Sequence, residues 1–201
     1  QKRAELAKLQ AIKEKVEEVL ASNPKLAAMK SQIRLDMTAD GLRIQIVDEL
    51  NRAMFDSGSA VVQPYMRDLL REIGAVLAEV PNRLTLEGHT DAQRFAAGDR
   101  GYGNWELSSD RANASRRELV MGGLPDEHVL RVQGLASSQL IEPDNPASPA
   151  NRRISIIVMN REAEDRILKP AAPPEPEAEP APELVDRKVV EPVSTFVPPA
   201  R

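Results

Sequence analysis

The sequence contains no cysteine, few aromatic residues and no long apolar run. The absence of cysteine from all 201 residues excludes disulfides, zinc–thiolate sites and a cysteine nucleophile. Aromatic residues make up only 3% of the chain and hydrophobic residues 41%, so the core must consist of Leu, Ile, Val, Met and Ala. No apolar run approaches the ~20 residues that span a bilayer, and no signal peptide is visible. The length favours one domain with appendages.

The chain also lacks an excess of basic charge. It carries 27 Lys and Arg against 31 Asp and Glu, which gives a net charge of −4, and its isoelectric point is about 5.4. Domains that bind nucleic acid usually show a clustered basic patch and a high isoelectric point. The composition therefore argues against a nucleic-acid partner.

Residues 1–32 predict a helical linker segment, because Ala, Glu, Lys and Leu dominate its first part. Asn23-Pro24 interrupts the pattern, and Pro24 can open a second short helix. Apolar residues recur at the spacing of a two-stranded coiled coil, at Leu9, Ile12, Val16 and Val19. So short a seam does not identify a coiled coil, which needs about three or four heptads. The segment is then either an amphipathic helix lying on its own domain or a linker that binds a second copy or another partner.

Two alternating runs follow and predict a β-hairpin. Apolar and polar residues alternate along each run, with the apolar positions at Ile33, Leu35, Met37, Leu42, Ile44 and Ile46. Asp40-Gly41 lies between the runs, and Asp-Gly is among the strongest short signals of a hairpin turn.

The rest of the domain alternates between helical and strand patterns. The order is helix, strand, helix, strand, strand, over residues 64–80, 84–89, 104–121, 129–134 and 154–158. The last strand is mostly apolar, which is typical of a central position in a sheet. Strands joined through helices require crossover connections. The pattern therefore predicts an α/β (α+β) sandwich with a mixed sheet over residues 33–162.

The composition changes near the carboxyl terminus, where nine of the sixteen prolines fall in the last thirty-two residues, mixed with Glu and Ala. Such a tract buries too little apolar surface to offset the entropy lost on ordering. We predict a disordered Pro/Glu-rich tail over residues 163–201.

Residues that would support a metal site or a hydrolase are poorly represented. The only histidines are His89 and His128, and His89 with Asp91 makes at best a two-ligand fragment of a site. No strand–elbow–helix serine motif is present, and nothing keeps one carboxyl of the Glu87–Asp91 pair protonated. We predict neither a metal nor another cofactor.

A glycine-rich loop precedes the helix that begins near Asn104. Gly98, Gly101 and Gly103 lack the Gly-x-Gly-x-x-Gly spacing and the lysine of phosphate-binding loops. The glycines are better explained as giving the loop flexibility.

Asp91 and Arg111 form the most informative pair, since a strand, a loop and a helix bracket them. An aspartate and an arginine held together can accept an ammonium group and hold a carboxylate. Backbone N–H groups at the helix start, with Asn104 as the cap, offer a second carboxylate position. A structural salt bridge between loop and helix explains the same residues equally well. Phe55, in a polar loop, either plugs the edge of the core or lines a pocket.

Four blocks in order resemble the OmpA-like peptidoglycan-binding domain. They are Phe55 with Gly58-Ser59, Gly88-His89-Thr90-Asp91, Asn104-Trp105-Glu106-Leu107-Ser108 through Arg111-Ala112, and Asn151-Arg152-Arg153-Ile154. The resemblance covers roughly residues 42–160. It implies a βαβαββ domain that binds the diaminopimelate-bearing stem peptide of peptidoglycan without catalysis.

The resemblance also implies a role for each matching residue. Asp91 and Arg111 would hold the ammonium and the carboxylate of diaminopimelate. Thr90, Leu107, Ser108 and Ala112 would shape the pocket, together with Phe55 and Asn104, and Arg152 and Arg153 would line its rim. Ser115 departs from the family pattern, which usually has an aliphatic residue there, and this difference concerns packing.

Within the family, the Asn104–Ser108 block and the helical segment in front are similar to the motility protein B branch, the cell-wall anchors of the flagellar stator. That similarity implies a periplasmic domain of a single-pass inner-membrane protein, with its membrane helix upstream of Gln1. It also implies a homodimer that contacts the channel subunit, motility protein A. The alternative is a general outer-membrane or lipoprotein wall tether unrelated to motility.

Overall fold

The predicted hairpin supplies two strands of the sheet. The computed structural model describes residues 2–94 and 101–169. Strands β1 (Ile33–Thr38) and β2 (Gly41–Val47) pair antiparallel, with Thr38 opposite Gly41. The turn is therefore Ala39-Asp40, one residue earlier than the predicted Asp40-Gly41. Gly41 has a φ of +135°, a value that glycine adopts at little cost.

The remaining elements follow in the predicted order. They are α3 (Pro64–Ala78), β3 (Leu84–His89), α4 (Asn104–Met121), β4 (Val129–Gly134) and β5 (Arg153–Met159), with α1 (Lys2–Ser22) and α2 (Pro24–Ala27) before β1 and α5 (Arg161–Leu168) after β5. From β2 onward the order is the βαβαββ order implied by the resemblance, and the hairpin adds β1 in front. The mixed α/β fold class is confirmed.

The sheet has five strands in the order β1-β2-β5-β3-β4. Strand β5 is antiparallel to both of its neighbours, whereas β3 and β4 are parallel. The parallel pair needs a crossover connection, which α4 provides. Residues Ile154, Ile156 and Val158 of β5 are fully or almost fully buried, and this confirms the central strand that their apolar run predicts.

Helices α3 and α4 pack on one face of this sheet, and α4 lies unusually close to β3 and β4. A Cβ atom added to Gly88 would lie 2.0 Å from the carbonyl oxygen of Ser108, and one added to Gly134 would lie 2.1 Å from Oγ of Ser109. Neither position has room for a side chain. The glycines therefore let the first turns of α4 rest directly on the carboxyl ends of β3 and β4.

Helix α1 lies on its own domain. Its buried residues are Leu9, Ile12, Val16 and Leu20, and they join the same hydrophobic core as the buried face of α3. Val19, the last residue of the predicted seam, is only partly buried against that core. The structure thus has the first of the two predicted arrangements, in which the apolar stripe contacts its own domain.

The carboxyl-terminal boundary differs from the sequence-based one. Residue 162, the predicted end of the domain, falls inside α5, and Ala163 is buried. Residues 170–201, which hold the proline-rich part of the predicted tail, and residues 95–100, which include Gly98, lie outside the described residues. Within the described ranges, every helix is too short or too polar to cross a bilayer.

Candidate functional site

Asp91 lies two residues after the end of β3, and hydrogen bonds hold it in a fixed orientation. The N–H of Thr90 donates to the carbonyl of Ala136 at 2.9 Å, and its hydroxyl donates to the carbonyl of Asp91 at 2.9 Å. Oδ1 of Asp91 accepts the N–H of Gln93 at 3.0 Å. Both Thr90 and Asp91 are buried. The carboxylate is therefore preorganised at the sheet edge.

The arginine that pairs with Asp91 is Arg152, at the start of β5. Nη1 of Arg152 donates to Oδ2 of Asp91 at 2.7 Å, and Nε donates to Oδ2 of Asp48 at 2.8 Å. Asp48, directly after β2, is also buried, and its Oδ1 accepts the N–H of Met54 at 2.9 Å. Arg152 thus bridges two buried carboxylates. The direct salt bridge between Asp91 and Arg111, one of the two explanations offered for that pair, is not among the ion pairs of the described residues.

Arg111 is anchored to the loop before α3. Its Nε donates to the carbonyl of Ser59 at 2.8 Å and its Nη2 to the carbonyl of Asp56 at 3.3 Å. The guanidinium carbon lies 5.0 Å from the centre of the Phe55 ring, within the range of a cation–π interaction. Phe55 belongs to the hydrophobic core. The first of its two predicted roles, closing the edge of the core, is thus confirmed, and its ring also contacts Arg111.

Asp48, Asp91, Arg111 and Arg152 form what we call the charged cluster. Burial lowers the pKa of Arg111, and the charge of Arg152 acts in the same direction, while Asp48 and Asp91 oppose it. Burial also acts to lower the pKa of Arg152, but its hydrogen bonds to Asp48 and Asp91 outweigh this and raise the pKa above its ordinary value. The cluster thus contains two arginines and two aspartates, and their formal charges balance.

The other predicted pocket residues on α4 are buried beside this cluster. Leu107, Ser108 and Ala112 are at most 5% exposed. The hydroxyl of Ser108 donates to the carbonyl of Trp105 at 3.0 Å and accepts the N–H of Ala136 at 3.1 Å. These residues form a wall that fixes α4 against the segment after β4.

Asn104 has a different role from the predicted helix cap. Gly103 occupies the cap position, and its N–H donates to the Glu106 carboxylate at 2.7 Å. Asn104 is the first residue of α4, and its Nδ2 donates to the carbonyl of Gln93 at 2.8 Å. It therefore connects the segment after Asp91 to the start of α4.

Arg153 is not brought to the charged cluster. Successive side chains of a strand point to opposite faces, so Arg153 lies on the face away from α3 and α4, whereas Ile154 points into the core. Its Nη1 and Nη2 donate to the carbonyls of Asn151 and Gln139, at 3.2 and 2.8 Å. Burial, together with the charge of Arg43, lowers the pKa of Arg153 to about 10.

His89 and Glu87 share that second face with Arg153. Nε2 of His89 lies 3.6 Å from Oε2 of Glu87, which is too long for a hydrogen bond, and burial lowers the pKa of His89. Gln133 donates to Oε1 of Glu87 at 2.7 Å. In residues 2–94 and 101–169, the acidic and histidine side chains form no group of three or more that could hold a metal ion.

Asp48 is the residue of the cluster that the sequence analysis missed. Its position after a strand is the only local signal, and an acidic residue after a strand is common. Its partner, Arg152, lies 104 residues further along the chain. The pairing becomes visible only once β2 is known to lie beside β5.

Known proteins resemble this chain in both sequence and fold. A model of the OmpA family matches residues 54–153. Motility protein B of Escherichia coli strain K12 is 50% identical over 167 residues, which are 83% of this chain and 54% of that protein. The putative truncated flagellar export/assembly protein LafU of the same strain is 38% identical over 143 residues, 71% of this chain and 67% of that one.

The fold also has a match among solved structures. The crystal structure of a putative MotB-like protein from Desulfovibrio vulgaris superposes with a TM-score of 0.64 at 16% identity, covering 79% of this chain and 98% of that chain. At such low identity the match concerns the fold alone. The chain spans about half the length of the E. coli motility protein B that it resembles.

Proposed function

The chain belongs to the OmpA family, and we propose that it binds peptidoglycan through the charged cluster without cleaving it. The observation that carries the proposal is the cluster itself. Two buried aspartates and two arginines come together near the ends of strands β2, β3 and β5. Hydrogen bonds to the surrounding chain hold these residues in place. Buried charge that is preorganised in this way is typical of sites that recognise a charged ligand.

The ligand that suits the cluster is the end of a diaminopimelate side chain in a stem peptide. Asp91 would accept its ammonium group, and Arg111 and Arg152 would donate to its carboxylate. Nε and Nη2 of Arg111 donate to backbone carbonyls. Nη1 makes no hydrogen bond within the described residues, so it can donate to a ligand carboxylate. Charge-assisted contacts of this kind are among the stronger hydrogen bonds in proteins.

The same residues are poorly suited to cleavage. Arginine does not act as a general base near neutral pH, and Asp91 already accepts hydrogen bonds from Arg152 and Gln93. We therefore propose binding alone. Incubation of purified sacculi with the protein should release no muropeptides, as measured by chromatography of the soluble fraction, and release by wild type but not by Asp91→Ala would contradict the proposal.

The likeness to E. coli motility protein B supports a more specific role. We propose that the chain is the periplasmic part of a homodimeric inner-membrane subunit, which anchors the flagellar stator to the wall and contacts motility protein A through a membrane helix. A full-length version carrying this chain should restore swimming to a strain that lacks its own motility protein B. Binding to sacculi without restored swimming would favour a general wall tether instead.

The binding site is tested by co-sedimentation with sacculi. We expect Asp91→Ala and Arg111→Ala each to weaken binding at least about tenfold, because each removes a charge-assisted contact. Arg67→Ala and Asp68→Ala are matched controls, since both residues are exposed on α3, and they should bind as wild type does. Circular dichroism confirms that each variant is folded. Normal co-sedimentation of both site variants would show that the site is elsewhere.

A further inference from the structure

We propose that Asp48 sets the ligand selectivity of the charged cluster by making it electrically neutral, so that it accepts a zwitterionic group and rejects a lone ammonium or a lone carboxylate. This inference rests on the proposed function, because it concerns which end group of a stem peptide the same cluster takes. Asp48 affects ligand binding in two ways: its negative charge balances the cluster, and its hydrogen bond positions Arg152.

In this proposal Asp91 is the ammonium acceptor, and Asp48 acts without contacting the ligand. Its Oδ1 accepts the N–H of Met54 at 2.9 Å and its Oδ2 accepts Nε of Arg152 at 2.8 Å. Only 6% of its side chain is exposed. Both oxygens are thus engaged in the protein interior, while the charge of Asp48 still acts on the whole cluster.

Charge balance is what makes this carboxylate matter for selectivity. A buried charge without a counter-charge is costly, and here two aspartates balance two arginines. A zwitterionic end group adds no net charge, so the occupied cluster stays neutral. The ammonium of a lysine side chain would leave an uncompensated positive charge, and a carboxylate alone would leave a negative one.

Asp48 also decides what happens to Arg152 when a ligand enters. In the free protein, Nη1 of Arg152 donates to Oδ2 of Asp91 at 2.7 Å, where a ligand ammonium would also bind. Asp48 accepts a hydrogen bond from Nε of Arg152. Arg152 therefore keeps a carboxylate partner when Asp91 exchanges its hydrogen bond with Arg152 for one with the ligand ammonium. Its Nη groups are then free for the ligand carboxylate. Without Asp48, the ammonium would compete with Arg152 for Asp91.

The test uses three stem tripeptides that differ only in the third side chain. That residue is meso-diaminopimelate, lysine or 2-aminopimelate, which present a zwitterion, an ammonium and a carboxylate at the same chain position. Binding to the full chain is measured by titration calorimetry for wild type, Asp48→Asn, Arg152→Gln and the double variant. Asparagine keeps the shape and the acceptor for Met54. Asp36→Asn, from an exposed ion pair on β1, is the matched control.

Charge balance predicts shifts of opposite sign. Wild type and Asp36→Asn should prefer the diaminopimelate peptide at least about tenfold over both analogues. Asp48→Asn should shift the preference towards the 2-aminopimelate peptide by about tenfold, and Arg152→Gln should shift it towards the lysine peptide. The double variant restores neutrality and should regain the preference for the zwitterion at lower overall affinity.

The outcomes separate this inference from the proposed function. If wild type binds none of the three peptides, the proposed function fails, and the inference fails with it. If wild type binds the diaminopimelate peptide but the variants weaken all three peptides equally, Asp48 is structural and only the inference fails. Should Asp48→Asn not fold, Arg152→Gln against the double variant still measures the charge effect, and equal selectivity of those two would overturn the inference.

Discussion

Arg152 and Arg153 are neighbours in the sequence, yet they lie in opposite electrostatic environments. Arg152 meets two buried carboxylates, and its pKa is raised by their hydrogen bonds despite burial. Arg153 donates hydrogen bonds to backbone carbonyls on the other face of the sheet. Burial and the nearby charge of Arg43 lower its pKa to about 10, although Glu87 acts in the opposite direction. Two adjacent residues thus differ in their partners: Arg152 is paired with two carboxylates, whereas Arg153 donates to backbone carbonyls.

The largest expected effect is that of Arg152→Ala. It leaves the carboxylates of Asp48 and Asp91 buried without their cation, and breaking a buried ion pair in this way costs about 3 kcal/mol or more. We expect a loss of this size in the free energy of unfolding from urea titration, together with loss of sacculus binding. A change below about 1 kcal/mol would mean that the bridge resembles a surface ion pair, and the contrast between the two arginines would disappear.

A smaller effect is expected for Arg153→Ala. The substitution leaves the carbonyls of Asn151 and Gln139 without these donors, which costs about 1–2 kcal/mol in the free energy of unfolding. Binding to sacculi should match that of wild type, because this side chain lies on the opposite face from the charged cluster. If the folded variant loses binding, the two faces of the sheet are not functionally separate.

The smallest expected effect is on the pH dependence of stability, through His89 on the same face of the sheet as Arg153. Burial lowers the pKa of His89 below its ordinary 6.5. Below pH 6.5 the unfolded chain therefore binds a proton at this histidine more readily than the folded chain does, and the free energy of unfolding decreases. The slope from one such group is at most about 1.4 kcal/mol per pH unit. We expect His89→Gln to flatten the loss of stability between pH 7 and 5, measured by urea titration.

The control for this experiment is His128→Gln, which changes the only other histidine. A flatter slope in that variant would assign part of the pH dependence to His128. Glu87 does not interfere in this window, because its pKa is lowered from an ordinary value of 4.5 and its contribution to stability is lost only at more acidic pH. Equal slopes for wild type and His89→Gln would show that His89 does not titrate on unfolding.

The elements of the fold follow from local patterns, and the sequence predicts them well. The apolar stripe of α3 and the alternation of β1 and β2 are properties of short stretches, and the structure confirms both. The departures are local too. The helix cap is Gly103 where Asn104 was predicted, and α5 runs to Leu168, past the predicted boundary at residue 162. Ala163 is its one buried residue, so the sequence of α5 shows no apolar stripe that would have revealed the helix.

The contacts of the site were harder to foresee, because they depend on strands that are distant in sequence. Asp91 and Arg152 are 61 residues apart, and the pairing follows from β5 lying beside β3. The apolar run of β5 carries no alternation from which the orientation of Arg153 could be read. The family resemblance suggests candidate site residues, and the sheet order determines which of them are in contact.

The place of β3 in the sheet has a mechanical consequence. Asp91 follows a strand that has a hydrogen-bonded partner on each side, β5 and β4. A pull on Asp91 along the strand loads both rows of backbone hydrogen bonds together, in shear, whereas an edge strand such as β1 has one row and can be peeled away bond by bond. If the chain anchors a motor to the cell wall, as proposed, tension applied at Asp91 would act on a strand that is hydrogen-bonded on both sides.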